Sequence, residues 1–509
     1  MRSPIVIIGA GIGGLTAAAL LAAAGEEVVV CEAAPTPGGK LREIRIGGRA
    51  LDAGPTVFTM RWVFEAIFAA AGASLDDYLT LRPVTTLARH AWGSDARLDL
   101  FAEIAESEAA IGAFAGAAEA TRFRAFTAEA RRTYTTLEHS FLDAPATSPI
   151  GLTARIGLSR PGDLLSIRPF ETLWGALGGY FHDPRLRQLF GRYATYSGAS
   201  PFLAPATLML IAHVEQSGVW LVEGGMHAIA RALEALARGH GVVFRYGEPV
   251  AGLLTVDGRA RGVTLASGER LEARAVVFNG DPSALATGLL GPHAAPATPA
   301  LPPAQRSLSA VTLTGHATAH GFALLRHNVF FGPDYAREFA DLAAGHPPRD
   351  PTVYVCAQDR EAADGPAPTG PERLHLIVNA PPRGDTHPLT PTEIASCEQR
   401  TLDRLAACGL TLSSPALTIT TPTDFERLFP GTGGALYGRA SHGSAAAFQR
   451  PGARTRIPGL YLAGGATHPG AGVPMAALSG RLAATALLRD HASIRPSLPK
   501  VMNGGMSTR

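Results

Sequence analysis

The chain has 509 residues, enough to bury a sizeable core and to divide into two or three domains. Charged residues make up 17%, below the usual share of about a quarter, and the formal net charge is only +2. With no long charge run, nucleic acid is excluded as a partner, while the sparse charge suits an oily substrate or a membrane surface. No uninterrupted apolar run reaches the roughly 18 residues of a membrane span, so no transmembrane helix is expected and any membrane contact is peripheral. Cys31, Cys356, Cys397 and Cys408 show no CxxC and no metal-ligand spacing, which fits free thiols buried in a reducing cytoplasm.

The first forty residues organise the rest. Pro4 to Ile8 is a short β-branched run that reads as a buried parallel strand. It enters Gly9-Ala10-Gly11-Ile12-Gly13-Gly14, after which Leu15 to Ala24 is strongly helix-forming and Gly25 stops it. Glu27 to Cys31 is a second β-branched run, closed by Glu32. Strand, glycine turn, helix, strand and acid in that order make a βαβ unit with a dinucleotide fingerprint. Gly9 permits the tight turn, Gly11 lets backbone approach a pyrophosphate, and Gly14 lets helix and sheet close up. The helix N-terminus offers N–H groups and partial positive charge to phosphates, and Glu32 is placed for ribose hydroxyls. An acid there disfavours a 2′-phosphate, and so NADP. A secretory signal peptide is the competing reading of an alanine-rich start after Arg2. The glycines between residues 9 and 14 would break its apolar helix and leave Glu32 without a purpose, so no signal peptide is expected.

Further along, Val63, Phe64, Ile67 and Phe68 share a helical face, either core or a membrane-dipping surface. Ala102 to Glu138 reads as one helix, Pro145 to Pro169 as looser with breaks at Pro149 and Pro161, and Thr172 to Phe181, Pro184 to Tyr196 and Pro205 to Gln216 as further helices. Such a helical region would suit a long apolar ligand. Val242 to Tyr246 is a strand, and Val250 to Leu271 is a hairpin meander with turns at Asp257-Gly258 and Ser267-Gly268. Ala275 to Phe278 is a strand ending at Asn279, at the carboxyl edge that should face a cofactor crevice. Ser309 to Leu325, Thr352 to Ala357, Arg373 to Asn379 and Ala416 to Thr420 read as strands of a second sheet, with a helix from Glu393 to Cys408. His327 to Phe331 reads as a packed loop, with a contact to one end of a substrate as the sharper alternative. Gly459 to Gly465 is a strand entering a second glycine turn, followed by a helix whose first turn holds Pro474. Gly470 and Gly472 would let backbone come close to a planar ring.

Gly38-Gly39-Lys40 follows Glu32 closely, and Asp52-Ala53-Gly54-Pro55-Thr56 comes soon after. With the closing turn from Gly464-Gly465 to Met475, these motifs resemble the amine oxidase and carotenoid desaturase superfamily of flavoproteins. The resemblance covers nearly the whole chain. It implies an α/β architecture: a Rossmann-type FAD-binding domain of the amine oxidase and carotenoid desaturase kind, with an inserted α+β substrate domain that contains a helical part. The expected division is FAD-binding segments at 1–80, 216–285 and 451–494, a mainly helical substrate- or membrane-facing region at 81–215, a substrate sheet with helices at 286–450, and a disordered tail at 495–509. By resemblance Lys40, one of only two lysines, lies against the phosphate or ribityl part of FAD, although a surface lysine is the plain alternative. Gly54, Pro55 and Thr56 lie near the isoalloxazine, and Val250 meets the adenine through its backbone. Gly464, Gly465, Gly472, Val473 and Met475 form a helix start that would stabilise anionic reduced flavin.

Within the superfamily, Tyr437 to His442 resembles bacterial carotenoid desaturases of the phytoene-desaturase type. Leu436-Tyr437-Gly438 and His468-Pro469-Gly470-Ala471-Gly472-Val473-Pro474-Met475 look most like the 1-hydroxycarotenoid 3,4-desaturases. Phytoene desaturases usually carry glycine where Met475 stands. The resemblance implies hydride transfer from an allylic carbon to flavin N5 and proton loss from its neighbour, with oxygen or a quinone as electron acceptor. It also implies attachment to the cytoplasmic side of a membrane. His468 is the candidate base, against a structural histidine, and His213, Glu215 and His442 are weaker candidates. Phytoene desaturase, carotenoid isomerase and amine oxidase are the enzymatic alternatives. A flavin-less binder of prenylated GTPases is the non-enzymatic one, opposed by Glu32, Lys40 and the 464–475 turn.

Overall fold

The computed structural model describes residues 3–157, 168, 170–360 and 368–494. The 495–509 tail and the break expected at Pro161 lie outside them. The β-branched runs become a five-stranded parallel sheet in the order Val243–Tyr246, Val28–Glu32, Ile5–Ile8, Ala275–Phe278, Leu460–Leu462. Ile5 pairs with Val28 on one side and Ala275 on the other. Both faces of this sheet are covered, which is why its strands are near-continuous Val and Ile rather than alternating. The first helix, Ile12–Ala23, is apolar all round because it is enclosed all round. The closing helix, Val473–Ile494, crosses it at Gly480, where a Cβ would lie 2.9 Å from that of Thr16. Three distant stretches of chain thus build one cofactor-type domain.

A seven-stranded mixed sheet forms the second body, in the order Thr411–Thr420, Ser309–His320, Glu372–Ala380, Val353–Ala357, His327–Phe330, Thr86–Trp92, Ala96–Phe101. The last hairpin falls in the stretch expected to be mainly helical. Thr86–Trp92 lacks a clear alternation and carries Arg89 and His90. Its strand state comes from tertiary pairing: Arg89 makes two bonds to Asp99 across the hairpin, at 2.8 and 2.7 Å. His327 to Phe331 likewise differs from the packed-loop reading, since His327–Phe330 is a buried central strand. None of these five residues lines the cavity described below.

The helical part follows the hairpin. The helix expected from Ala102 to Glu138 is two, Ile104–Ala115 and Ala117–Leu137, because Gly116 adopts φ +96°. Phe123, Phe126, Phe181 and Phe190 close its core with ring centroids 4.7–5.8 Å apart. In the helix Arg61–Ala70, Val63, Phe64, Ile67 and Phe68 are all core residues, at most 1% exposed. This overturns a membrane-dipping role for that face. The four cysteines are buried and unpaired. Among the described residues no helix is long and apolar enough to cross a membrane.

Asp52 ties the domains together. Its buried carboxylate accepts from the backbone N–H of Met226 at 2.7 Å and of His227 at 3.1 Å, at the start of the helix Ala228–Gly239. Its own backbone N–H and carbonyl pair with the Gln358 side chain at 3.0 and 2.8 Å. The segment that follows, Gly54-Pro55-Thr56, is therefore held where the two sheets meet.

Candidate active site

One cavity of about 940 Å³ runs between the two sheets. Its first end is the glycine fingerprint. Gly9 and Gly11 line it, and Gly14 lies just behind the wall, where a Cβ would run into the Gly9 carbonyl and the Asn279 side chain. Asn279 closes this junction by donating from Nδ2 to the Gly9 carbonyl at 3.1 Å. Glu32 ends the neighbouring strand, where its carboxylate accepts from the N–H of Ala10 at 2.6 Å and of Ala34 at 2.8 Å. Val250 opens the next strand along the same wall.

Lys40, Gly54, Pro55 and Thr56 line the middle, facing Gly464, Gly465, Gly472, Val473 and Met475 of the closing turn. Lys40 is not a surface lysine. It is enclosed, donates to the Leu436 carbonyl at 2.7 Å and stands 5.4 Å from the Phe429 ring. Burial pulls its pKa down, with Asp281 opposing. Two charged neighbours carried no sequence signal that placed them at this site. Arg450 donates to the carbonyls of Tyr437 and Arg439 at 2.9 and 2.7 Å, and burial pulls it down to about 10. Asp281 caps the short helix Pro282–Ala286 through one oxygen, while the other is buried without a partner in the cavity wall. An Asp before a Pro at a strand end is a legible helix-cap signal, but its placement against Lys40 is not.

His468 does not join this wall. It is 3% exposed, its Nε2–H donates to the Ala144 carbonyl at 2.8 Å, and its ring meets Phe141 edge-on at 4.8 Å. Burial lowers its pKa, against the backbone bonds of Ala144 and Phe141. That geometry is a structural histidine's, and the base role has no contact with the cavity to rest on. His213 and His442 are also away from the wall, bonded to Ser217 Oγ at 3.2 Å and to the Ser200 N–H at 2.9 Å. Of the four candidates only Glu215 reaches the cavity, where its oxygens accept from Tyr193 Oη at 2.6 Å and Tyr196 Oη at 2.7 Å. Burial raises its pKa against those two bonds. Arg192 donates to Tyr196 Oη at 3.3 Å and lies 5.3 Å over the Tyr354 ring. Tyr354 Oη in turn meets Thr56 Oγ1 at 2.7 Å. This polar group joins residues from four separate stretches, so no local pattern announces it.

Residues 12–488 match the family described as flavin-containing amine oxidoreductase. The chain belongs to that family. Hydroxyneurosporene desaturase of Rubrivivax gelatinosus is 53% identical, over 99% of this chain and 97% of that one. Hydroxyneurosporene desaturase of Cereibacter sphaeroides is 48% identical, over 96% and 98%. The crystal structure of an oxidoreductase from Methanosarcina mazei shares the fold, with a TM-score of 0.57 at 18% identity over 96% of this chain and all of that one.

As a member of this flavin family, the protein is an FAD-dependent oxidoreductase with the α/β flavoprotein fold expected from its motifs. The cavity fits FAD on its own terms. The helix Ile12–Ala23 begins at Gly11 without a side-chain cap, which leaves its N-terminus open to phosphate oxygens. A Cβ at Gly11 would lie 2.8 Å from Asn279 Nδ2, so the approach stays open only to glycine. The unpartnered Asp281 oxygen offers an acceptor to a polyhydroxy chain.

Proposed function

We propose that this oxidoreductase is a carotenoid 3,4-desaturase that acts on 1-hydroxyneurosporene or a close 1-hydroxycarotenoid. The observation that carries the reading is that one cavity continues without a break from the cofactor fingerprint to a largely apolar wall of the substrate sheet and helices. Likeness to the two hydroxyneurosporene desaturases over nearly their full length supports it. An amine oxidase or a phytoene desaturase has no such support at that level of identity. Incubation with 1-hydroxyneurosporene is expected to give a product lighter by two hydrogens with a C3–C4 double bond. A product unsaturated elsewhere, or an isomer of equal mass, would refute the assignment.

FAD, when bound, would supply a two-electron hydride acceptor, with oxygen or a quinone as the proposed final oxidant. Glu32, Asn279, Val250 and the Gly9–Gly14 turn hold the dinucleotide part. Lys40, the Gly54–Thr56 segment and the 464–475 turn position its reactive ring. The apolar walls fix a rigid polyene beside that ring and exclude water, which is most of what the reaction asks of the protein. Loss of a hydride leaves a delocalised cation whose neighbouring C–H is acidic, so a weak base suffices. Tyr196 Oη can take that proton while passing its own to Glu215, 2.7 Å away. Glu215→Gln is expected to lower kcat about a hundredfold with KM little changed. An unchanged kcat would return the proton to solvent.

The substrate reaches the cavity from a membrane surface on the cytoplasmic side. The helix Pro149–Ile156 turns Leu152 into the cavity wall and leaves Ile150 84% exposed on its other side. Ile150→Asp is expected to reduce co-sedimentation with liposomes several-fold while leaving bound FAD unchanged. Equal sedimentation of both proteins would place the membrane contact elsewhere.

A further inference from the structure

Two hydroxyls in the cavity wall have nothing to bond. Tyr335 lines the cavity, is 6% exposed, and its Oη has no hydrogen-bond partner. Thr312 also lines it, is 3% exposed, and its Oγ1 is likewise unpartnered. Buried polar atoms are nearly always paired, so two orphans on one wall call for an explanation.

A run of neighbouring residues in the cavity wall links the two. Tyr335 begins the helix Tyr335–Ala343 and shares a face with Glu338, one turn on. Glu338 Oε1 accepts from Asn379 Nδ2 at 3.2 Å. Asn379 pairs with Ala310, two residues from Thr312 on the same face of the sheet. The other neighbours on that face are already satisfied or apolar: His375 bonds Thr314 Oγ1 at 2.6 Å, and Ile377 stands opposite Thr312. Around Tyr335 stand the rings of Phe339 at 5.0 Å and Trp174 at 6.0 Å, and the Arg192 guanidinium lies near enough to act on its phenol electrostatically.

We propose that Tyr335 and Thr312 form a recognition site for a neutral hydroxyl at the end of an apolar polyene. A ligand alcohol has one hydrogen to give and lone pairs to receive, so it satisfies a phenol donor and a threonine acceptor together. The inference rests on the hydroxycarotenoid reading above and adds the residues that choose the hydroxylated end. A site that hydrogen-bonds a substrate hydroxyl rejects the analogue lacking it far more strongly than an apolar pocket rejects a missing methylene.

The test compares 1-hydroxyneurosporene with neurosporene on wild-type holoenzyme, Tyr335→Phe and Thr312→Val. Both kcat/KM and Kd are measured, the latter by quenching of bound FAD fluorescence. Each substitution is expected to lower the preference for the hydroxylated polyene about tenfold or more, in both ratios, with FAD content unchanged. Thr312→Val serves if the tyrosine variant fails to fold. FAD-loaded variants that keep the wild-type preference overturn the site and leave the desaturase reading intact. Wild type that binds the hydroxylated polyene selectively but converts neither refutes the desaturase reading, while the Kd ratios of the variants still decide the site. Wild type with no preference in either ratio overturns the site.

Discussion

A Gly13→Ala enzyme is expected to purify colourless, with affinity for FAD reduced about tenfold to a hundredfold. Gly13 sits in the first turn of the helix Ile12–Ala23, against the second glycine turn and the end of the Ala275–Phe278 strand. An added Cβ would lie 2.6 Å from the Gly464 backbone nitrogen and 2.7 Å from Asn279 Oδ1. Neither neighbour is the free end of a flexible chain. Gly464 is backbone at φ +113°, and Asn279 is pinned to the Gly9 carbonyl. Relief requires the two glycine turns to separate, and overpacking of this kind costs about 1–3 kcal/mol. The 450 nm absorbance of the purified protein and titration with free FAD measure it. A yellow Gly13→Ala protein with unchanged affinity would mean that the two turns do not jointly form the dinucleotide site.

The second large effect is a pH dependence of stability set by Glu338. Its side chain is 1% exposed, and burial pushes its pKa up from 4.5 to about 7, against bonds from Thr352 and Asn379 that favour the ionised form. A carboxyl whose pKa is raised on folding binds its proton more tightly in the native state. The stability this gives is complete below about pH 4.5 and is lost as pH rises through about 7. At about 1.4 kcal/mol per pH unit of displacement, the swing is about 3 kcal/mol. Urea unfolding at pH 5 and pH 8 reads it: Glu338→Gln, which mimics the neutral form, should lose less stability than wild type between the two. Parallel losses in both proteins would show that Glu338 is ionised in the native enzyme throughout this range.

The cofactor half of the molecule was legible because its chemistry is local. Fingerprint glycines, the closing acid Glu32 and the strand-ending Asn279 each follow from backbone conformation or phosphate access within a few residues. Of the residues expected at the cofactor, all but Gly14 line one cavity, and Gly14 sits immediately behind it. The substrate half is less legible. The hairpin Thr86–Phe101 carries helix-compatible residues and is a pair of strands only through its place at a sheet edge. His468 stands beside the glycine turn in sequence, but its ring points back to Ala144 rather than forward. The Arg192, Tyr196, Glu215 and Tyr354 group, and the orphan hydroxyls of Tyr335 and Thr312, exist only once the sheet and the helices face each other. Polar residues spread singly through apolar stretches give no periodic or motif signal, so tertiary placement alone reveals them.

One cavity that brings FAD and a hydroxylated polyene together for dehydrogenation has a spectroscopic signature. The yellow enzyme is mixed anaerobically with liposomes carrying either 1-hydroxyneurosporene or phytoene, and flavin and carotenoid spectra are followed together. Flavin bleaching and a red-shifted carotenoid are expected with the hydroxylated substrate alone. Bleaching with phytoene instead, or no bleaching with either while FAD remains bound, would refute dehydrogenation of a hydroxylated polyene in this cavity.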